Sequence, residues 1–183
     1  MKLDSTELIN ELSQLTIANK AKAEELLKYT EEELNKKASE QSWSALECIE
    51  HLNRYGDFYI PEISMKMEKS ESKSQKSNAV FKSNWLGNYF SNSMKYKEKL
   101  NTMKTFSSMN PSGSSLKKST LEKFISQQVD TIELLNRAKN INLTKTKTGI
   151  TISQWIKLRL GDTFRVVIYH NERHLIQAEK AVK

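Results

Sequence analysis

Apolar residues recur along this chain at helical spacing, with polar residues between them. Leu8, Leu12, Leu15 and Leu26 fall on one face, flanked by Ala18 and Ala23, and predict a first helix from about Thr6 to Lys37. Asn19 and Lys22 interrupt that face. Asp4 and Glu7, three residues apart, make a capping pair at its start. A second helix begins at Ser44, where Ser44 and Glu47 have the spacing of a capping box. It continues through Leu46, Ile49, Leu52 and Tyr59 to about Lys69. Pro61 lies inside it and predicts a kink, because proline has no amide for the ladder. Ser119 and Glu122 offer another capping box for a third helix, with Leu121, Phe124, Ile125, Gln128, Ile132 and Leu135 as its stripe. A loop over 140–149 and a short helical segment over 153–160 follow, the latter ended by Gly161 as a left-handed cap. Asp162 then caps a fourth helix reaching about Ala181, with Phe164, Val167, Ile168, Leu175 and Ala178 inward. No stretch is read as a strand.

Four long stripes that must cover each other imply an all-α fold, a four-helix bundle. The long connection between helices two and three allows a crossover in place of up-and-down order. A chain of 183 residues has the size of one domain, residues 1–183. Its 28% charged and 37% hydrophobic residues exclude a disordered or a membrane protein. The longest aliphatic run, Val166 to Ile168, is far short of a span, so no membrane is expected. Acids near the N-terminus stand where a signal peptide needs an apolar core. The lone Cys48 excludes an internal disulfide framework, and both features point to the cytoplasm.

The net charge of +7 is local. Between Lys66 and Lys118 stand eleven lysines and three acids, so this segment carries the whole excess and the remainder is nearly neutral. The segment is rich in Ser and Asn and reads as a solvated connection with a short helix at about 84–103. A phosphate-binding patch is the functional alternative. Nucleic acid is disfavoured, because the segment contains no arginine for base reading. Trp85, Tyr89 and Phe90 have the chemistry to stack bases, but pinning the short helix to the body is the simpler role. Trp85, Leu86 and Phe90 are also candidates for a dimer face.

The chain has three histidines: His51, His170 and His174. His170 and His174 are four apart on the fourth helix and share a face, the spacing by which a helix offers two nitrogens to one metal. His51, on the second helix near Cys48, Tyr55 and Phe58, is the candidate third ligand. Three imidazoles would suit Zn, Ni, Cu or Fe and leave a coordination position open. A pair at this spacing also occurs by chance on solvated helices. A zinc-protease helix is excluded, because Asn171 follows His170 and Glu172 is turned about 100° further around the axis. Cys48 reads as a small buried residue, Glu50 as a surface charge, Tyr55 as packing, and Trp43 and Trp155 as anchors at helix ends. Arg159, Asp162 and Arg173 are candidates for ion pairs, near the pocket or on the surface.

The run Trp43 to Leu52 (WSALECIEHL) resembles the second-helix signature of the DinB-like superfamily, which includes the YfiT-like metal-dependent hydrolases. Trp155 to Asp162 (WIKLRLGD) and Tyr169 to Ala178 (YHNERHLIQA) resemble that family's C-terminal block, in the same order along the chain. The resemblance implies a four-helix bundle with a long crossover, often dimeric. It also implies a divalent metal, nickel or zinc, held by His51, His170 and His174. Characterised relatives include transferases and isomerases that use a low-molecular-weight thiol, so a metal-dependent S-transferase or hydrolase acting on a small molecule is expected. Lysines of the basic segment are candidates to attract an anionic thiol. The alternative from another class is a non-catalytic or stress-related bundle with weak or no metal. No catalytic residue beyond the metal ligands is assigned.

Overall fold

The structure, a computed structural model, describes residues 1–73, 77–97, 105–151 and 153–183, the side chain of Gln154 excepted. Asp4 caps the first helix by accepting from the amides of Thr6 and Glu7. That helix, α1 (Ser5–Leu26), ends at the last leucine of its stripe, well before the expected Lys37. Thr30 and Glu33 form a capping box and start a separate five-residue helix, α2 (Glu31–Asn35). The box at Ser44 and Glu47 forms as the spacing predicts and opens α3 (Ala45–Glu71), which continues through Pro61. α4 (Trp85–Met94) ends well before residue 103, and positions 98–103 of the expected helix lie outside the described residues. α5 (Ser119–Ala138) lacks the predicted capping box, since Lys118 holds the cap position without a side-chain bond.

The expected helix at 153–160 is a strand. β3 (Lys147–Ile150) and β4 (Ser153–Arg159) form an antiparallel hairpin that places Thr148 opposite Leu158. Thr148, Ile150 and the alternation across Lys157, Leu158 and Arg159 suit a half-buried pleated surface better than a helix. The C-cap assigned to Gly161 misled the helical reading. Gly161 instead lies in the first turn of α6 (Leu160–Ala181), where a Cβ would meet the Phe81 ring at 2.7 Å. Asp162 does not cap α6. Its buried carboxylate accepts from Ser83 Oγ at 2.7 Å and pairs with Arg165 at 3.1 Å. A second ribbon joins β1 (Lys2–Asp4) to β2 (Val80–Lys82), with Leu3 opposite Phe81.

The fold is all-α with these two small ribbons added. α1 packs on α5 and α6, and α3 packs on the same two helices. The core has two apolar layers. Along α1 and α6 the chain passes from the layer of Leu8, Leu12, Phe164 and Ile168 to that of Ala23, Leu26, Leu175 and Ala178. α3 and α5 run the opposite way, from Leu46, Ile49, Leu121 and Phe124 to Ile63, Met67, Leu135 and Ala138. Two consecutive long helices that run parallel need a returning connection, and β2, α4 and a 3₁₀ turn at Ser107–Met109 make it. The polar Gln128 within the α5 stripe accepts from Asn171 of α6 at 3.3 Å, so it bonds inside the core and does not face water. No helix among the described residues is long and apolar enough to cross a membrane.

Candidate metal centre

The three histidines lie where the two apolar layers meet. On α3, His51 directly precedes Leu52, the last residue of the second layer before Tyr59 of the first; on α6, His170 and His174 fall between Tyr169 and Leu175. Antiparallel packing of α3 on α6 brings them together. All three are buried, and one nitrogen from each lies within 4.8 Å of the others. His51 Nε2 is 3.2 Å from His170 Nε2. Metal–nitrogen bonds of about 2.0–2.1 Å in a tetrahedral site put ligand nitrogens roughly 3.3 Å apart, so the His51–His170 pair is spaced as two ligands of one small cation.

Hydrogen bonds behind the rings aim them. His51 Nδ1 lies 2.7 Å from the carbonyl of Met109. A carbonyl only accepts, so Nδ1 carries the proton and Nε2 presents its lone pair inward. His174 Nδ1 stands 2.9 Å from Gln177 Oε1 in the same manner. The turn that carries Met109 is tied to α3 and to the residue before its cap. Arg54 donates to the carbonyls of Ser108 and Asn110, and Trp43 Nε1 donates to Ser112 Oγ. Gly113, at φ +82°, turns its amide to Glu47 Oε1 at 2.7 Å, a conformation that favours glycine. Buried Glu47 also takes Lys37 Nζ at 2.8 Å. Burial would raise the Glu47 pKa, but Lys37 and the amides of Ser44 and Gly113 outweigh it and the net shift is down.

Aromatic rings wall the cluster. Trp43 is 4.8 Å from the His51 ring and 5.8 Å from His174, while Tyr55 meets His51 and His170 edge-on at 5.0 and 4.8 Å. Burial therefore dominates the electrostatics. It pushes His51 down to about 4, against the Met109 bond and assisted by Arg54 and Arg173. His174 is pushed down to about 3 by burial, then by His51 and Arg173. His170 lies well below the usual histidine value, through burial and then its two histidine neighbours. The imidazoles are therefore neutral at pH 7, the state in which they bind metals.

A cavity of about 380 Å³ opens beside them. α3 contributes His51, Tyr55 and Tyr59; α6 contributes Val166, Val167, His170, Arg173 and His174; the β3–β4 hairpin contributes Ile150, Thr151 and Leu158. The basic segment supplies Phe90, Met94, Thr105 and Phe106 to it, and no lysine among the described residues. Lys76, Lys99 and Lys104 of that segment lie outside the described residues.

The other assignments divide. Cys48 is buried in the second apolar layer, and burial followed by Glu47 pushes its thiol up to about 12. Glu50 pairs with Arg54 at 3.1 Å. Trp43 is an anchor that touches the histidines, whereas Trp155 is 93% exposed and anchors nothing. Arg159 bonds the Lys82 carbonyl near the β1–β2 ribbon, and Arg173 lines the cavity. Sequence reasoning missed Met109 and Gln177 as orienting groups. Gln177 was open to detection, because it follows His174 by three residues on one helix face. Met109 was not, being 58 residues from His51.

Comparison with known proteins finds a match to the family model described as the DinB superfamily over residues 14–178. No curated protein and no solved structure matches the chain.

Proposed function

The chain belongs to the DinB superfamily, and from that premise we propose that it is a metal-dependent enzyme of the thiol-transferase or hydrolase class, its ligands His51, His170 and His174. One observation carries this reading: three neutral, buried imidazoles converge, two of them at the spacing of ligands to one cation, beside a cavity of small-molecule size. Imidazole nitrogen suits zinc, nickel, copper or iron, and the family resemblance favours nickel or zinc among them. A divalent ion bound there supplies positive charge that lowers the pKa of a thiol or a water brought to it.

The chain's own groups do the remainder. Met109 and Gln177 hold protons on the outer nitrogens of His51 and His174, so that the inner nitrogens stay available. Trp43 and Tyr55 fix the ring planes. Phe90, Met94, Phe106 and Val167 keep the cavity apolar, which favours transfer from a thiol over hydrolysis. The exposed Trp85, stacked on Tyr89 at 5.8 Å, supports the homodimer that the family resemblance implies, and sedimentation of the Trp85→Ser variant tests it.

Metal analysis of untagged protein tests the central reading. Near-stoichiometric nickel or zinc is expected, lost when His170 and His174 become alanine. Protein without metal that shows no thermal shift on adding either ion would return the chain to the non-catalytic alternative. With metal bound, S-conjugation that needs an added low-molecular-weight thiol separates the transferase from an esterase.

A further inference from the structure

Three hydroxyls border the cavity, and neither metal binding nor the aiming of the imidazoles uses them. His51, Tyr55 and Tyr59 follow one another at intervals of four on α3, so they share one face of that helix. All three line the cavity, and Thr151, between β3 and β4, lines it with them. The two phenol rings lie at 10° to each other with their centroids 6.3 Å apart. Tyr59 Oη accepts from the Thr151 amide at 3.5 Å. The Thr151 hydroxyl is the side-chain partner of both phenols, and among the described residues no other group accepts from either of them. Three hydroxyls bring three protons, and two bonds through Thr151 use two of them. One O–H is therefore left to donate at the cavity wall. Much of the wall opposite is apolar, through Phe90, Met94, Phe106 and Leu158.

We propose that the hydroxyls of Tyr55, Tyr59 and Thr151 bind the carbonyl oxygen of a neutral substrate whose apolar body fills this cavity, and so set its class and its orientation. The proposal deepens the reading of the cavity as the substrate site and rests on it. A carbonyl oxygen only accepts, which is what a spare O–H needs. A buried donor without an acceptor is costly, so the site disfavours a hydrocarbon that cannot supply one. The hydroxyls carry no charge to offset the desolvation of a carboxylate, so a neutral acceptor suits them better than an anion. The apolar wall recovers free energy only from a ligand with an apolar body. A carbonyl that accepts such a bond is also polarised toward attack, and that serves a thiol and a water alike.

Acetophenone is the probe, and ethylbenzene is its counterpart without an acceptor, each titrated into metal-free and into zinc-loaded protein with NMR detection. Joint replacement by Tyr55→Phe and Tyr59→Phe should weaken acetophenone about fivefold, the worth of one neutral hydrogen bond, and leave ethylbenzene unchanged. Each single replacement should show part of that loss, which keeps the comparison open if the double variant does not fold. The infrared carbonyl stretch of bound, isotope-labelled acetophenone should lie below its value in hexane and rise toward it in the variants, a signal that a merely structural role would not move. An unmoved stretch, or an equal loss of both probes, overturns the proposal. So does benzoate that binds metal-free protein tighter than acetophenone, and so does failure of both probes to bind that form. A stretch lowered only in the zinc-loaded protein assigns the carbonyl to the metal and overturns it too. Failure of zinc to bind defeats the metal reading alone, since the comparisons in metal-free protein stand apart from it.

Discussion

Gln177 lies three residues beyond His174 on α6, and its side-chain oxygen accepts a hydrogen bond from that imidazole. A group that orients a metal ligand is worth about 10- to 100-fold in metal affinity. Gln177→Ala should therefore weaken zinc binding by that factor while leaving stoichiometry at saturation unchanged, as a competition titration with a chelator would read. Cys48 gives the opposite expectation. With its thiol pushed up to about 12 inside the second apolar layer, it holds no thiolate at pH 8. Iodoacetamide should leave the native protein untouched and label it fully in denaturant. Rapid native labelling, followed by mass spectrometry, would contradict the burial. At this scale the chemistry of each histidine was legible from its type and spacing, but the ring tautomers were not. They depend on Met109, whose distance from His51 in the chain hides the contact.

At the scale of elements, the start of α6 decides how the crossover returns to the bundle. Gly161 sits in its first turn against the Phe81 ring of β2. Glycine to alanine in an ordinary helix stabilises by up to about 1 kcal/mol. Here the added methyl needs space the ring already holds, and the overpacking cost of about 1–3 kcal/mol reverses the sign. Gly161→Ala should lower the midpoint of urea unfolding, and a raised midpoint would show that Phe81 yields. The misread segment 153–160 belongs to this scale too. Its helical reading leaned on Gly161 as a terminator, but that residue is glycine because β2 crosses it closely. Pairing with Lys147–Ile150 and burial of Leu158 then make the segment a strand. Local periodicity over so few residues does not separate the two states, and tertiary context does.

For the whole molecule, the buried histidine layer makes stability depend on pH, and a cation bound there would oppose the loss. The folded pKa values of His51 and His174, about 4 and about 3, lie below the unfolded value near 6.5. Above about pH 7 neither state takes up a proton there. As pH falls below 6.5 the unfolded chain binds protons that the fold refuses, so stability drops, on the order of 1 kcal/mol per imidazole by pH 5.5. The loss continues to about pH 4 for His51 and about pH 3 for His174. Thermal melts in chelator from pH 7.5 to 5.5 should show Tm falling, and a flat profile would contradict neutral buried rings. Metal works in the other direction. Zinc at a hundred times its Kd adds about 2.7 kcal/mol, or roughly 5–10 °C in Tm for a chain of this size.

Some of this protein follows from the order of its residues alone. The apolar stripes, the cap at Asp4 and the box at Ser44 are local, and local periodicity and hydrogen bonding suffice to start α1 and α3 and to place their buried faces. The pairing of His170 with His174 on one face is likewise a property of a single helix. The tertiary structure decided what depends on distant partners. It set α3 antiparallel to α6, which brings His51 to the pair, and it carried the Met109 carbonyl to the far side of that ring. It also turned the basic segment to present Phe90, Met94 and Phe106, not its described lysines, to the cavity. The reason is physical: lysine keeps its charge in water wherever the chain runs, while an apolar side chain is buried only where packing leaves it a cavity to line.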